Sequence, residues 1–149
     1  MKYVSIGKIV NTHALKGEVR LISNFEYKDR VFKSGVRVYI GQFKTEEIIE
    51  TYRPHKQFDM IKFVNINNIN DVLKYKGEVV YVDEEILKLD DNELLDHEYI
   101  QMEVYNFDKL VGKIEEYRND NGNKMIKVNI NKNFFSFIIK ISFHKKLLC

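Results

Sequence analysis

The chain has 149 residues, 44% hydrophobic and 31% charged, with 24 Lys and Arg against 22 Asp and Glu for a net charge of +2. That length allows one domain or two small ones, and that balance suits a folded globular protein and excludes general disorder. The single cysteine, Cys149, rules out an internal disulfide and a cysteine metal cage and fits a reducing cytoplasm, while Gly7 and Lys8 break the first apolar run, leaving neither secretory signal nor membrane span.

Residues 3–10 alternate apolar and polar, and the alternation resumes over Glu18–Ile22. Period two marks half-buried strands, so this opening is strand, loop, strand. The loop between them, Asn11-Thr12-His13-Ala14-Leu15-Lys16-Gly17, mixes a histidine, a lysine and an apolar leucine with a glycine able to take positive φ. Further strands are predicted at 36–40 between Gly35 and Gly41, at 46–52 and at 58–64, with Tyr39, Tyr52 and Phe58 inside the apolar alternation and so read as core. A short helix is expected next, capped by Asn70, with Asp71 in its first turn, Val72, Leu73 and Tyr75 buried, and Gly77 ending it. A strand at 78–82 closes the first module, and strands at this spacing with one short helix suggest a small β-barrel.

Charge then divides the chain. Residues 1–82 carry 14 bases against 9 acids, residues 83–103 carry 9 acids and only Lys88, and residues 104–149 carry 9 bases against 4 acids. Two basic modules around an acidic segment is a domain layout, and the acidic segment reads as a solvated linker. Beyond it, strands are predicted at 99–105 and 109–117, joined at Asn106-Phe107-Asp108. Asn119-Asp120-Asn121-Gly122-Asn123 is the clearest turn, with a returning strand at 124–130. Residues 134–143, FFSFIIKISF, form a dense apolar strand that needs cover.

Chemistry for catalysis would have to use the four histidines, because the sequence has no cysteine pair, P-loop or G-x-S-x-G. His13 near Glu18 and His55 near Asp59 could each be written as a base with an orienting carboxylate, and a small RNA-acting hydrolase is the enzyme reading. Neither pair sits beside a serine or cysteine nucleophile, and neither has the spacing of a metal site. No catalytic and no metal-binding residue is therefore expected, and His97 and His144 read as surface or core-edge residues. A binding reading uses the same residues directly. His13, Lys16 and Arg20, with Arg53, His55 and Lys56, offer cations for phosphate and planar rings for unpaired bases.

Residues 7–21, GKIVNTHALKGEVRL, resemble the opening motif of the RimM family of ribosome maturation factors through Gly7, Lys8, Ile9, His13, Leu15, Lys16, Gly17, Glu18, Val19, Arg20 and Leu21. Ala14 replaces a glycine of that motif. Arg53-Pro54-His55-Lys56, Met60-Ile61-Lys62-Phe63 and the run from Asn67 to Gly77 resemble the family's second motif, with Val72 and its neighbours in place of an Ala-Glu. Glu93 to Val104 resembles the opening of the family's C-terminal PRC-barrel, and Leu110-Val111-Gly112-Lys113-Ile114 its following strand. Leu94 and Leu95 stand where the family has paired aromatics, Gln101 replaces a glycine, and Ser136 replaces a proline. The barrel's last strand is not matched, and truncation or a frame error near Asn131 is one expectation, natural divergence the other.

The resemblance implies an all-β chain of two small β-barrel domains: a translation-factor-like barrel over 1–82, an acidic linker over 83–97, and a PRC-barrel over 98–149, truncated or divergent at its end. It implies a cytoplasmic, monomeric, non-enzymatic factor with no cofactor, no small-molecule substrate and no membrane. Such a factor binds the head of the immature 30S subunit through small-subunit ribosomal protein nineteen and assists 16S rRNA processing. The ribosome and RNA contacts would be His13, Leu15, Lys16, Arg20, Arg53, His55 and Lys56, and the ribosomal-protein contact Leu94 and Leu95, a pair that packs either inward to dock the linker on the PRC-barrel or outward into a groove on the ribosomal protein, the placement the resemblance favours. A PRC-barrel adaptor outside the ribosome is the rival binding reading.

Overall fold

The computed structural model describes residues 1–149 except 121–122, 131–132, 139, 142–146 and 149. The chain divides into two units, Met1–Lys88 and Leu89–Cys149. The first is a closed barrel of β1 (Tyr3–His13), β2 (Glu18–Ile22), β3 (Arg37–Ile40), β4 (Thr45–His55), β5 (Phe58–Phe63) and β6 (Val79–Asp83), in the order β1-β2-β5-β4-β3-β6. All its pairings are antiparallel, and β1 meets β6 to close it. Alternation does the sorting: Val19 and Leu21 of β2 point into the barrel with no exposure, while Glu18 and Arg20 face the other way and Ile22 is exposed. Ile6, Ile9, Val38, Ile40, Ile49, Ile61, Phe63, Val80 and Val82 complete that core, and the burial of such side chains is the main driving force for closing the sheet.

Bulges between Ser5 and Gly7, Ile9 and Asn11, and Ile49 and Thr51 bend the long strands around this small circumference. A four-residue helix, α1 (Lys28–Val31), lies between β2 and β3, where the sequence pattern predicts no element. The helix expected after β5 is instead a pair of 3₁₀ turns, Ile69–Asp71 and Leu73–Tyr75, and its cap is Asn68, whose side chain accepts from the Asn70 N–H at 2.9 Å. Three residues per turn place Val72 and Tyr75 above one another; both are buried, whereas Leu73 is 51% exposed, which corrects its expected place on the buried side.

The second unit is a six-stranded sheet of β7 (Glu103–Asn106), β8 (Lys109–Asp120), β9 (Asn123–Ile130), β10 (Asn133–Ile138), β11 (Lys140–Ile141) and β12 (Leu147–Leu148), in the order β10-β9-β8-β7-β12-β11. Its core joins Leu94, Tyr99, Val104, Ile114, Ile126 and Val128. Tyr99 belongs to a 3₁₀ turn, Asp96–Tyr99, rather than to a strand, and its ring stacks on Tyr117 at 4.0 Å. Gly112 is required by close approach: a Cβ there would stand 2.1 Å from the Asn129 carbonyl oxygen. Asn121, Gly122, Asn131, His144 and Cys149, and part of the apolar strand at 134–143, lie outside the described residues.

The acidic stretch supplies apolar residues to both units. Leu87, in the 3₁₀ turn Glu84–Leu87, is 1% exposed, and its carbonyl accepts from Arg30 Nη1 at 3.0 Å. Leu94 and Leu95 are each 4% exposed, so the inward placement is the one found and the outward one favoured by the resemblance is corrected. An apolar side chain in a charged stretch is driven inward when a core lies within reach, and Leu94 reaches the Tyr99 cluster.

Candidate nucleic-acid interface

The residues named from the first two motifs come from β1, β2 and β4, which with β5 are consecutive in the barrel wall, and from the loops that join them. His13 pairs with Glu18 across β1 and β2, Arg20 and Arg53 both pair with Met60 of β5, and His55 pairs with Phe58. Cross-strand partners share a face, so these side chains stand on the side of the wall opposite Val19 and Leu21. There the His13 and His55 rings come within 6.5 Å, centroid to centroid, at 29° from parallel. Arg20 Nη2 lies 2.7 Å from His13 Nδ1, and the Arg20 guanidinium sits 5.5 Å over the Phe58 ring. Two motifs far apart in sequence thus form one surface.

Each contact fixes chemistry. An arginine can only donate, so His13 Nδ1 accepts and the ring proton sits on Nε2. The remaining ring nitrogen is a donor, and the lone pair a general base would need is taken. Arg20 Nε is buried and has no hydrogen-bond partner. Arg53 binds Glu18 in bidentate fashion, Nη2 to Oε1 at 2.6 Å and Nε to Oε2 at 3.1 Å, and the carboxylate raises the pKa of that guanidinium. Glu18 therefore orients Arg53 and not His13.

Asp59 is likewise engaged elsewhere. It is 3% exposed, accepts from Lys28 Nζ at 2.8 Å and from the Tyr52 hydroxyl at 2.7 Å, and so ties α1 to the barrel. Tyr52 stacks on Phe32 at 5.4 Å; its burial, then the hydrogen bond and charge of Asp59, push its pKa up to about 12. Both oxygens of the carboxylate that could have oriented His55 are occupied by other groups.

The loops carry the rest. Leu15, 81% exposed, and Lys16 project from the β1–β2 loop, and Lys56 stands exposed in the β4–β5 turn at φ +55. The β1–β2 loop is braced from behind, since the Leu15 carbonyl accepts from Ile69 N–H at 3.0 Å. Gly17 has φ +85, and a Cβ there would meet the Asn68 carbonyl oxygen at 3.0 Å. Ala14, where the family motif has glycine, takes φ +62, and Gln101, the other such position, takes φ +68.

Phe58, expected in the core, is instead the half-buried floor of this surface. The buried run Asp59-Met60-Ile61 breaks the alternation on which the core expectation rests. Tyr39 is buried as expected, at 7% exposure, and His97 is exposed. Among the described residues, no group of three or more His, Cys, Asp or Glu could hold a metal ion, and no helix is long and apolar enough to cross a membrane.

Fold and surface together define a two-unit, all-β protein whose barrel gathers cations and planar rings on one outer wall, an arrangement suited to recognition. The family model for the RimM N-terminal domain matches residues 4–87, and the chain belongs to the RimM family. It is 43% identical over 121 residues to the ribosome maturation factor RimM of Streptococcus pneumoniae serotype 4, covering 78% of this chain and 70% of that protein. The RimM of Streptococcus pneumoniae strain Hungary19A-6 matches to the same extent. Among solved structures, the N-terminal domain of RimM from Thermus thermophilus aligns with a TM-score of 0.52 at 20% identity, over 60% of this chain and 98% of that domain, in agreement with the barrel. The two streptococcal relatives are named as a ribosome maturation factor, which is not a class of enzyme.

Proposed function

We propose that this protein is a non-enzymatic, cofactor-free assembly factor that binds the head of the immature 30S subunit in the cytoplasm, there meets small-subunit ribosomal protein nineteen, and assists 16S rRNA processing. It acts as a monomer by differential affinity, favouring a precursor conformation that the finished particle no longer offers. The observation that carries this reading is the meeting of His13, Arg20, Arg53 and His55 on one wall, flanked by exposed Leu15, Lys16 and Lys56. Lysines neutralise phosphates, arginine grips them with a planar fork, and the imidazoles add ring surface and N–H donors. Leu94 and Leu95 are buried, so a ribosomal-protein contact at this segment would rest on the fold of the second unit and not on exposed leucine side chains.

Co-sedimentation with small subunits from cells lacking the endogenous factor tests this. The parent chain is expected to travel with immature particles. Lys16→Ala, Arg53→Ala and Lys56→Ala combined should weaken that binding and flatten its salt dependence, each lost phosphate contact removing roughly 0.7–0.9 from the slope of log K against log salt. A parent that does not sediment with immature particles, or a triple variant that binds as the parent does, would overturn the reading.

A further inference from the structure

We infer that Arg53 is a preset receptor for one backbone phosphate of the RNA and that Glu18 is its positioning residue, a carboxylate that strengthens the grip on an anion. This deepens the proposed function and rests on it for the identity of the RNA. Arg53 stands on β4 and Glu18 on β2, with β5 between them. Their ion pair therefore crosses two strand spacings, roughly 10 Å, over the strand that carries Met60, the fully buried partner of both Arg20 and Arg53. A guanidinium carries five N–H donors, and Glu18 takes two of them, from Nε at 3.1 Å and from Nη2 at 2.6 Å. Those left over, two on Nη1 and one on Nη2, include the parallel pair at the far end of the fork, which fits two oxygens of a phosphate. The Glu18 side chain is 17% exposed and that of Arg53 47%, so the acid is sheltered while nearly half of the arginine meets solvent.

Stability alone does not account for an acid on this cationic face, because an ion pair so exposed contributes little to folding. For binding, two effects oppose each other. Glu18 repels the incoming phosphate, but the two anions would sit on adjacent edges of the guanidinium, roughly 7 Å apart. Between solvated charges at that distance repulsion weakens binding by at most about threefold, and by less at physiological salt. Against this, a free arginine has to be immobilised when the phosphate arrives, which weakens binding by about two- to twelvefold. Glu18 has already fixed Arg53 in the folded chain. Positioning outweighs repulsion, and removal of this negative charge should weaken anion binding, the opposite of what charge counting gives.

The test is fluorescence anisotropy of a dye-labelled single-stranded uridine dodecamer, titrated with the full chain over a series of salt concentrations. Glu18→Gln removes the charge and breaks the two-point hold on Arg53. It is expected to bind about threefold more weakly than the parent, with an unchanged salt slope because the phosphate contact is still made. Arg53→Ala should lower that slope by roughly 0.7. In the Arg53→Ala background, Glu18→Gln should reverse its sign and tighten binding, since only the loss of repulsion is left. The thermal midpoint of Glu18→Gln should stay close to that of the parent. A parent that does not bind the strand, a Glu18→Gln variant that binds as tightly as the parent or more so, or equal weakening with and without Arg53 would each overturn the inference. A large fall in the midpoint would also overturn it, assigning the pair to the cover of Met60. Sedimentation with immature subunits separates the two readings. A parent that sediments while Glu18→Gln binds the strand unimpaired sinks the positioning role and leaves the assembly function standing, whereas the full reversal of sign in a parent that ignores particles sinks the function alone.

Discussion

Replacing Ala14 by glycine should stabilise the barrel. Ala14 occupies the β1–β2 loop at φ +62, a left-handed backbone in which Cβ crowds the following carbonyl. That conformation costs an L-residue about 1–2 kcal/mol, and glycine escapes it. Against this, glycine adds about 0.4–1 kcal/mol of freedom to the unfolded chain. Ala14→Gly is therefore expected to gain about 0.5–1 kcal/mol, or roughly 2–8 °C in the thermal midpoint of a unit this size. Gly17→Ala, three residues on, is the matched control with the opposite sign. It imposes the same strain at φ +85 and drives a Cβ to 3.0 Å from the Asn68 carbonyl oxygen and 3.1 Å from Ile66 Cγ2, so it should lose about 1–3 kcal/mol. Urea titration followed by near-ultraviolet circular dichroism reads both, with hydrogen exchange to assign each transition to its unit. An unchanged or lowered midpoint for Ala14→Gly would refute the reasoning, because the left-handed strain would then not be stored at that residue.

Gly112→Ala should disrupt the second unit by on the order of 3 kcal/mol or more, since its Cβ would lie 2.1 Å from the Asn129 carbonyl oxygen; loss of exchange protection in β8 and β9, with β1 to β6 unaffected, checks this. Leu94→Ala should cost the same unit about 2–5 kcal/mol by urea titration, because Leu94 fills the core around Tyr99; a change below about 0.5 kcal/mol would mean that its burial contributes little. Tyr52 keeps its proton to about 12 in the folded chain against an ordinary value of 10.0. Between those values the unfolded chain binds fewer protons, so stability falls as pH rises through that window. Asp59→Asn should move the Tyr52 titration down towards 10.0 and narrow the window, and alkaline difference absorbance at the tyrosinate band measures the shift.

The strands were largely legible because one face of each meets a core: Val19 and Leu21 against Glu18 and Arg20 is the pattern at its plainest. The apolar residues of the acidic stretch were not. Leu94 and Tyr99 share a core with Ile114, Ile126 and Val128, which lie beyond any local window, while the charge on their neighbours suggests exposure. Nor could sequence distinguish one short helix from two 3₁₀ turns over Ile69–Asp71 and Leu73–Tyr75, as either buries Val72 and Tyr75. The candidate surface was legible as two lists of residues but not as one face of the barrel wall. The distance from His13 to His55 depends on the strand order β1-β2-β5-β4 and on the twist of that wall, and neither is written in spacing along the chain.

The backbone bond from Ile69 to Leu15 also bears on engineering of the loop. A loop held by its own hairpin alone could be moved to another barrel as a cassette. This one leans on residues 66–69, with Gly17 seated against the Asn68 carbonyl, so its shape is set by a segment half a unit away in sequence. A graft that carries residues 11–17 without their buttress should inherit the side chains and lose the pose, while a graft of both pieces should keep it. A buttressed loop is already ordered before any complex forms, and a complex made through it would be spared the conformational entropy of immobilising it.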